Sequence, residues 1–252
     1  MVDWNHPFQF LPITDSTSAI LKGLVQQDQF IPGAVAAREQ IAGRGRGDNV
    51  WRSPPGGLYL SVALPVADAA LLPLFGPSIA CDVALWLRER FAVDARIKWP
   101  NDWLVDGSKL GGLLMELVRS AGGRLVVVAG LGLNVFATPQ VPDRRAFVPT
   151  CLNDWADVQA EDPVSLSREL ARVVAQTADV HASMEPRIRQ FLIGHTATLG
   201  QEVSVTLPGG EVITGTAVSL GPDFSLNVKT ADRIVRVAAG DCFHEPVPGQ
   251  GG

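Results

Sequence analysis

Residues 95–135 read ARIKWPNDWLVDGSKLGGLLMELVRSAGGRLVVVAGLGLNV, and this stretch decides the fold. Ala95–Trp99, Trp103–Val105, Leu110–Val118 and Arg124–Val135 are apolar or alternating runs of the kind that form successive strands. Gly122-Gly123 supplies a hairpin between the last two. Charge is concentrated in Lys98-Trp99-Pro100-Asn101-Asp102 and Lys109-Leu110-Gly111-Gly112, between runs that are otherwise apolar. Two cations, a carboxylate and an amide between strands make a candidate anion site. On this segment alone, a solvated turn at Asp106-Gly107-Ser108 explains the charges equally well.

Outward from the strands, the periodicity changes. Thr14-Asp15-Ser16-Thr17 offers N-cap residues ahead of Ile20, Leu21, Leu24 and Val25, which share a helical face. Ile79, Val83, Trp86, Leu87 and Phe91 predict a second helix, and 165–184 and 186–193 two more. Gly33–Arg38 and Leu58–Leu64 read as further strands. After Gly194 come four short strand-like runs, 202–207, 211–218, 224–229 and 233–238, separated by turn residues. The expected organisation is an α/β (α+β) unit over 1–194, a small β-barrel over 195–246 and a frayed tail over 247–252. That barrel segment is net acidic and has no basic stripe, so a packing or protein-contact role suits it better than nucleic-acid binding.

Composition narrows the function classes. The chain has 252 residues, 46% hydrophobic and 19% charged, enough for a real core. A net charge of −5 argues against a general nucleic-acid or anionic-membrane binder. Cys81, Cys151 and Cys242 have neither metal-ligand nor disulfide-framework spacing, which fits a reducing cytoplasm. No basic n-region opens the chain, and no apolar run is expected to reach the length of a membrane span. His6, His181, His195 and His244 are far apart and read as surface or packing residues.

Two more segments carry chemistry. Gly43-Arg44-Gly45-Arg46-Gly47, with Trp51 after it, joins backbone freedom, guanidinium forks and an aromatic face. A flexible surface loop and an RGG-like RNA-binding segment are the competing readings; a loop that orders over an anionic ligand is more economical. Gly130-Leu131-Gly132-Leu133-Asn134 ends an apolar strand, where glycines mark a close approach to the backbone. It is not a dinucleotide-binding turn, because the third glycine is missing and no helix follows.

Taken in order, Ser16-Thr17-Ser18, Gln40 with the Gly43–Arg46 loop and Trp51, Lys98–Asp102, Lys109–Gly112, Glu116 and Gly130–Asn134 make the chain resemble the biotin–protein ligases. The resemblance runs from about residue 13 to 136 and continues more loosely into the C-terminal segment. It implies a mixed central sheet flanked by helices, of the class II synthetase and biotin ligase type, with a small SH3-like barrel. It implies ATP-dependent attachment of biotin, through biotinyl-5′-AMP, to a lysine of a biotin carboxyl carrier protein of acetyl-CoA carboxylase or a related enzyme. A lipoate or octanoate ligase of the same fold is the nearest alternative.

By the same resemblance, Ser16, Thr17, Ser18, Gln40, Gly45 and Lys109 contact biotin. Arg44 and Arg46 serve both biotin and the adenylate. Gly111, Gly112, Gly130 and Gly132 clear space for biotin. Trp51, Lys98, Asn101 and Asn134 join them around ATP, and Lys109, Asp102 and Arg44 are the catalytic set. Mg2+ arrives on ATP, with no protein metal site. The expected partners are the carrier protein and the small substrates, with no DNA and no membrane; relatives dimerise through sheet edges, so a homodimer is also compatible. The loop departs from the family pattern at Gly47-Asp48-Asn49-Val50, where further basic residues are usual. The lost charge predicts faster leakage of the intermediate. Ser18 stands where asparagine is common, which keeps a polar group.

Overall fold

The computed structural model describes residues 7–29, 33–140 and 147–244; the expected tail and His6 lie outside them. A seven-stranded mixed sheet has the order β1-β2-β3-β7-β6-β5-β4. Its strands are β1 (Phe8–Leu11), β2 (Gly33–Ala37), β3 (Gly57–Pro65), β4 (Arg96–Lys98), β5 (Asp102–Val105), β6 (Ser108–Arg119) and β7 (Leu125–Asn134). β1 and β2 are parallel, and the other neighbours are antiparallel. The helices are α1 (Thr17–Gln26), α2 (Leu72–Phe91), α3 (Pro163–Ala175) and α4 (Glu185–His195).

Side-chain alternation divides the sheet into two faces. Val127, Ala129, Leu131 and Leu133 of β7, with Leu58, Leu60, Val62 and Leu64 of β3, enter the main core with α2, α3 and α4. Val126 and Val128, one residue out of phase, lie on the opposite face with Ala63 and Val118, where Leu21 and Val25 of α1 cover them. Gly130, Gly132 and Asn134 continue that second face past the body of α1, whose first turn still reaches its near end: a Cβ on Gly130 would lie 3.9 Å from Ser18 Cβ. The site is therefore the part of a packed sheet face that its helix leaves uncovered.

α2 is longer than the periodicity predicted: it begins at Leu72, with Pro73 tolerated in its first turn, and continues through Pro77 inside it. With the preceding 3₁₀ turn it runs from Ala69 to Phe91, 23 residues long and apolar enough to cross a membrane by length and composition. That corrects the expectation that nothing reaches such a length. Ile79, Val83 and Leu87 are nevertheless fully buried in the core. The helix expected over 165–184 stops at Ala175, followed by 3₁₀ turns.

The second sheet has five antiparallel strands, not four, in the order β11-β10-β9-β8-β12. They are β8 (Glu202–Thr206), β9 (Val212–Leu220), β10 (Leu226–Lys229), β11 (Ile234–Val237) and β12 (Asp241–His244). The two sheets exchange aromatic residues. Trp99, between β4 and β5, packs in the small core with Val203, Val205, Leu226 and Val228, and its indole donates to Phe224 O at 3.0 Å. Phe224 in turn packs against the main core, under the Arg189 guanidinium of α4.

Candidate active site

The uncovered face opens into a cavity of about 420 Å³. Its floor is Gly112 and Leu114 of β6, Gly130, Gly132 and Asn134 of β7, and Ser61 of β3. Register explains the set: Gly112 pairs with Gly132, and Leu114 with Gly130, so their faces coincide. Gly111 does not belong to it, which corrects the expectation that both glycines clear space for a ligand. Adjacent strand residues point to opposite faces. A Cβ on Gly111 would lie 2.3 Å from Leu133 Cδ2 and 2.6 Å from Gly132 O, so its bareness serves strand packing.

At the back of the floor stands the start of α1. Ser16 occupies the N-cap in an extended conformation, but its hydroxyl caps nothing. It lies 3.1 Å from Ser18 Oγ. The Thr17 amide donates to Gln40 Oε1 at 2.8 Å, and Thr17 Oγ1 is 2.8 Å from Ser61 Oγ. Gln40 Nε2 donates to Ser53 Oγ at 2.9 Å. Buried hydroxyls at a helix N-terminus give a compact patch that both donates and accepts, beside a partial positive charge.

At the other end, Asp102 is clamped by two lysines. Lys98 Nζ is 3.1 Å from Oδ2, and Lys109 Nζ is 2.8 Å from Oδ1. Lys98 and Asp102 are 6% and 7% exposed. Burial alone would raise the Asp102 carboxyl, but the Lys109 and Lys98 cations outweigh it and hold the group below the usual carboxylate range. So Asp102 is a fixed charge and a poor base. Lys98 also faces the Phe147 ring at 4.8 Å. Behind it, His244 packs edge-on to Phe147, and burial with the Lys98 charge pushes it down to about 4.

The two asparagines support backbone as well as lining the cavity. Asn134 Nδ2 donates to Thr150 O at 3.0 Å and Lys109 O at 3.4 Å, and the Lys109 amide donates to Val148 O. That bracket aims Lys109. The Asn101 amide donates to Leu113 O, whose own N–H returns the bond to Asn101 O at 2.8 Å. Those N–H groups are occupied by backbone.

The Arg/Gly loop forms the roof. Gly45 N donates to Asn49 O, and Trp51 N to Gly43 O. Arg44 reaches Ser18 Oγ at 3.3 Å and pairs with Glu116, which also holds Lys22 at 2.7 Å. Trp51 lies across Gly132, where a Cβ would come within 2.3 Å of the indole, and Lys109 Nζ is 5.1 Å from its ring. Gly112 and Gly132 therefore seat Trp51 as well as clearing the floor. Trp51 Nε1 is buried without a hydrogen-bond partner among the described residues, a donor left for something else.

Sequence reasoning missed one wall. Asp241, Cys242 and Phe243 of β12 line the cavity, as do Phe147 and Pro149. β12 is too short to announce itself, and nothing in 241–244 alternates clearly. Burial pushes the Cys242 thiol up to about 11, so it is an inert wall residue. Among the described residues no group of His, Cys, Asp or Glu could hold a metal ion.

Known proteins share the family and the fold. Residues 10–134 match the model of the Biotin/lipoate A/B protein ligase family, and 198–245 that of the Biotin protein ligase C terminal domain. The biotin--[acetyl-CoA-carboxylase] ligase of Mycobacterium tuberculosis is 32% identical over 238 residues, covering 92% of this chain and 86% of that one. The Paracoccus denitrificans ligase of the same name is 36% identical over 134 residues, covering 50% of this chain and 53% of its own. The Aquifex aeolicus biotin protein ligase, in complex with biotin and ATP, shares the fold: TM-score 0.74 at 24% identity, covering 93% of this chain and 97% of that one. The Leishmania major biotin protein ligase in complex with biotinyl-5-AMP gives a TM-score of 0.59 at 28% identity, covering 92% and 98%.

Proposed function

We propose that this chain, which belongs to the biotin protein ligase family, activates biotin with ATP and passes it to a carrier lysine. In the first step a biotin carboxylate oxygen attacks the α-phosphorus of ATP and pyrophosphate leaves. In the second, the lysine amine attacks the acyl carbon, AMP leaves with the bonding electron pair, and the amine loses a proton.

The observation that carries the residue assignment is the Lys98–Asp102–Lys109 clamp at the mouth of a glycine-floored slot that ends in hydroxyls. Biotin fits with its ureido ring against Ser16, Thr17 and Ser18 and its carboxylate toward Lys109 and Arg44. Step one gathers negative charge, so fixed cations lower its barrier by electrostatic stabilisation. Lys109, Arg44 and Arg46 serve there, and the Trp51 N–H, without a partner among the described residues, is a further donor for the bound intermediate. Lys98, braced on Asp102, adds charge from behind. Mg2+ carried on the nucleotide would neutralise phosphate charge beside Lys109, Arg44 and Arg46.

A free lysine has a pKa of about 10.4 and arrives protonated. Asp102 is too weak a base to take that proton outright, so its role is to attract and orient the ammonium before the proton leaves. The carrier domain of acetyl-CoA carboxylase is the acceptor class that the relatives' names indicate. Residues 1–194 form the catalytic unit, and the small β unit over 195–246 completes its wall.

The test uses purified protein, Mg-ATP, labelled biotin or lipoate, and a carrier domain. Biotin label appears on the carrier lysine, and Lys109→Ala lowers the single-turnover rate by about 100-fold, the scale of a lost charge-stabilising donor. Transfer of lipoate but not biotin, or of neither, overturns the proposal.

A further inference from the structure

The roof of the cavity is fastened to the second sheet. Arg46 Nη1 donates to Gly240 O at 2.8 Å and lies 3.9 Å from Asp241 Oδ1. Asn49 Nδ2 donates to Asp241 Oδ2 at 3.3 Å. The loop presents these side chains together because Asn49 N bonds to Arg46 O, with Gly47 at a positive φ of 58°. We propose that Gly240 and Asp241 are a latch: they hold the 43–51 loop down over the cavity and slow the escape of the activated intermediate. Asp241 is thus a positioning residue, acting through Asn49 and Arg46. The intermediate itself rests on the ligase reading above, but the latch does not.

The anchor is firm enough to serve. β12 pairs with β8, and Cys242, the next residue, is buried in the small core. That core holds Trp99, whose amide is also bonded to Thr198 Oγ1, so the small sheet is locked to the corner between Lys98 and Asp102. Contacts therefore run in a ring: floor, Trp99 corner, small sheet, β12, loop, and back through Trp51 to Gly132. The loop bonds are partly solvent-exposed, so their effect on global stability is small. Their effect is on loop opening, which governs exchange of bound molecules with solvent.

The latch also explains what Asn49 does. It lies opposite a carboxylate, yet it brings an amide instead of a cation. Asn49→Arg would set a full charge against Asp241 and tighten the roof.

Two measurements on the full chain decide it. Hydrogen exchange of the ligand-free protein reads the amides of Gly45, Asn49 and Trp51. Asp241→Ala speeds their exchange roughly two- to fivefold, the scale of exposed polar and ionic pairs, and Asp241→Asn less. Adding Asn49→Ala to Asp241→Ala changes little more. Unchanged loop exchange both in Asp241→Ala and in Arg46→Ala, which also gives up the bond to Gly240 O, overturns the latch whether or not the protein is a ligase. The second reads release of preformed labelled biotinyl-adenylate. Asp241→Ala speeds release by a similar factor, and Asn49→Arg slows it only while Asp241 is present. Equal slowing by Asn49→Arg with and without Asp241 overturns the coupling. If no adenylate forms, the ligase reading fails and the exchange arm still decides the tether.

Discussion

Along one face of β6 and β7, two neighbouring halves have opposite contents. Val118, Val126 and Val128 lie beneath α1 with Leu21 and Val25, in a dry apolar cluster. A few residues on, Gly112, Gly130, Gly132 and Asn134 line the cavity with hydroxyls and lysines around them. The strands, pleat and register continue unbroken between the halves. What changes is where α1 begins: its N-terminus, Ser16 to Ser18, stands on the boundary. One half supplies burial; the other gives up packing for space and charge.

The sharpest way to break the contrast is to remove charge from the polar half. Asp102→Asn leaves Lys98 buried beside an amide, with its carboxylate gone. Breaking a buried pair from one side costs about 3–5 kcal/mol. Denaturant unfolding should show a loss of that order, larger than most active-site substitutions give. The same pairing makes stability depend on pH. The Asp102 carboxyl is depressed in the fold, so its stabilisation is present above the ordinary carboxylate range and is lost as pH falls through the folded value. An acid transition that stays where it was in Asp102→Asn would contradict this.

In the apolar half, Val128→Ala removes methyls from a site with 0% exposure. The expected cost is about 2 kcal/mol, combining transfer and cavity contributions. It should appear in the unfolding midpoint and leave biotin affinity within a few-fold. A large affinity loss would mean that the halves are mechanically coupled.

The glycines separate the two roles at closer range. Gly132→Ala drives a Cβ into the Trp51 indole at 2.3 Å and unseats the roof. Biotin affinity measured by calorimetry should fall at least tenfold, about 1.4 kcal/mol. Gly111→Ala meets Leu133 and a backbone carbonyl on the other face. It should lower the unfolding midpoint, with an overpacking cost of about 1–3 kcal/mol, and spare affinity. If Gly111→Ala weakens binding as much as Gly132→Ala, the face assignment is wrong.

How far the sequence reveals these halves depends on how local each cause is. β3, β6, β7 and α1 are legible because alternating or continuous apolar runs and helical spacing are local signals; β3 and β7 are buried on both faces. The Lys/Arg/Gly/hydroxyl set is legible because unusual residue types recur between apolar runs. β1 and β12 are not: four residues of FQFL or DCFH carry too little period, and their pairing partners are distant. Nor is the split between Lys98 and Trp99 legible. These neighbours point opposite ways, one to the cavity and one into the small core, and only the placement of the second sheet decides which. The Gly111–Gly112 pair fails for the same reason, since composition does not state a face.

The last expected effect is read only as a pH slope and lies at the seam behind the polar half. His244 Nε2 is 3.2 Å from Thr198 Oγ1, beside Lys98 and the Phe147 ring. Burial, then the Lys98 charge, lowers it from the ordinary 6.5 to about 4. Below 6.5 the unfolded chain binds a proton that the fold refuses, so stability declines as pH falls from about 6.5 toward 4. Below that value the histidine is charged in both states and adds no further slope. His244→Gln keeps a polar partner for Thr198 but cannot titrate. Its unfolding free energy should lose part of the wild-type slope between those pH values, while the slope from Asp102 at lower pH persists. Identical profiles for the two proteins would mean that His244 is solvated as freely as an exposed histidine, and that the seam between the sheets admits water up to Lys98.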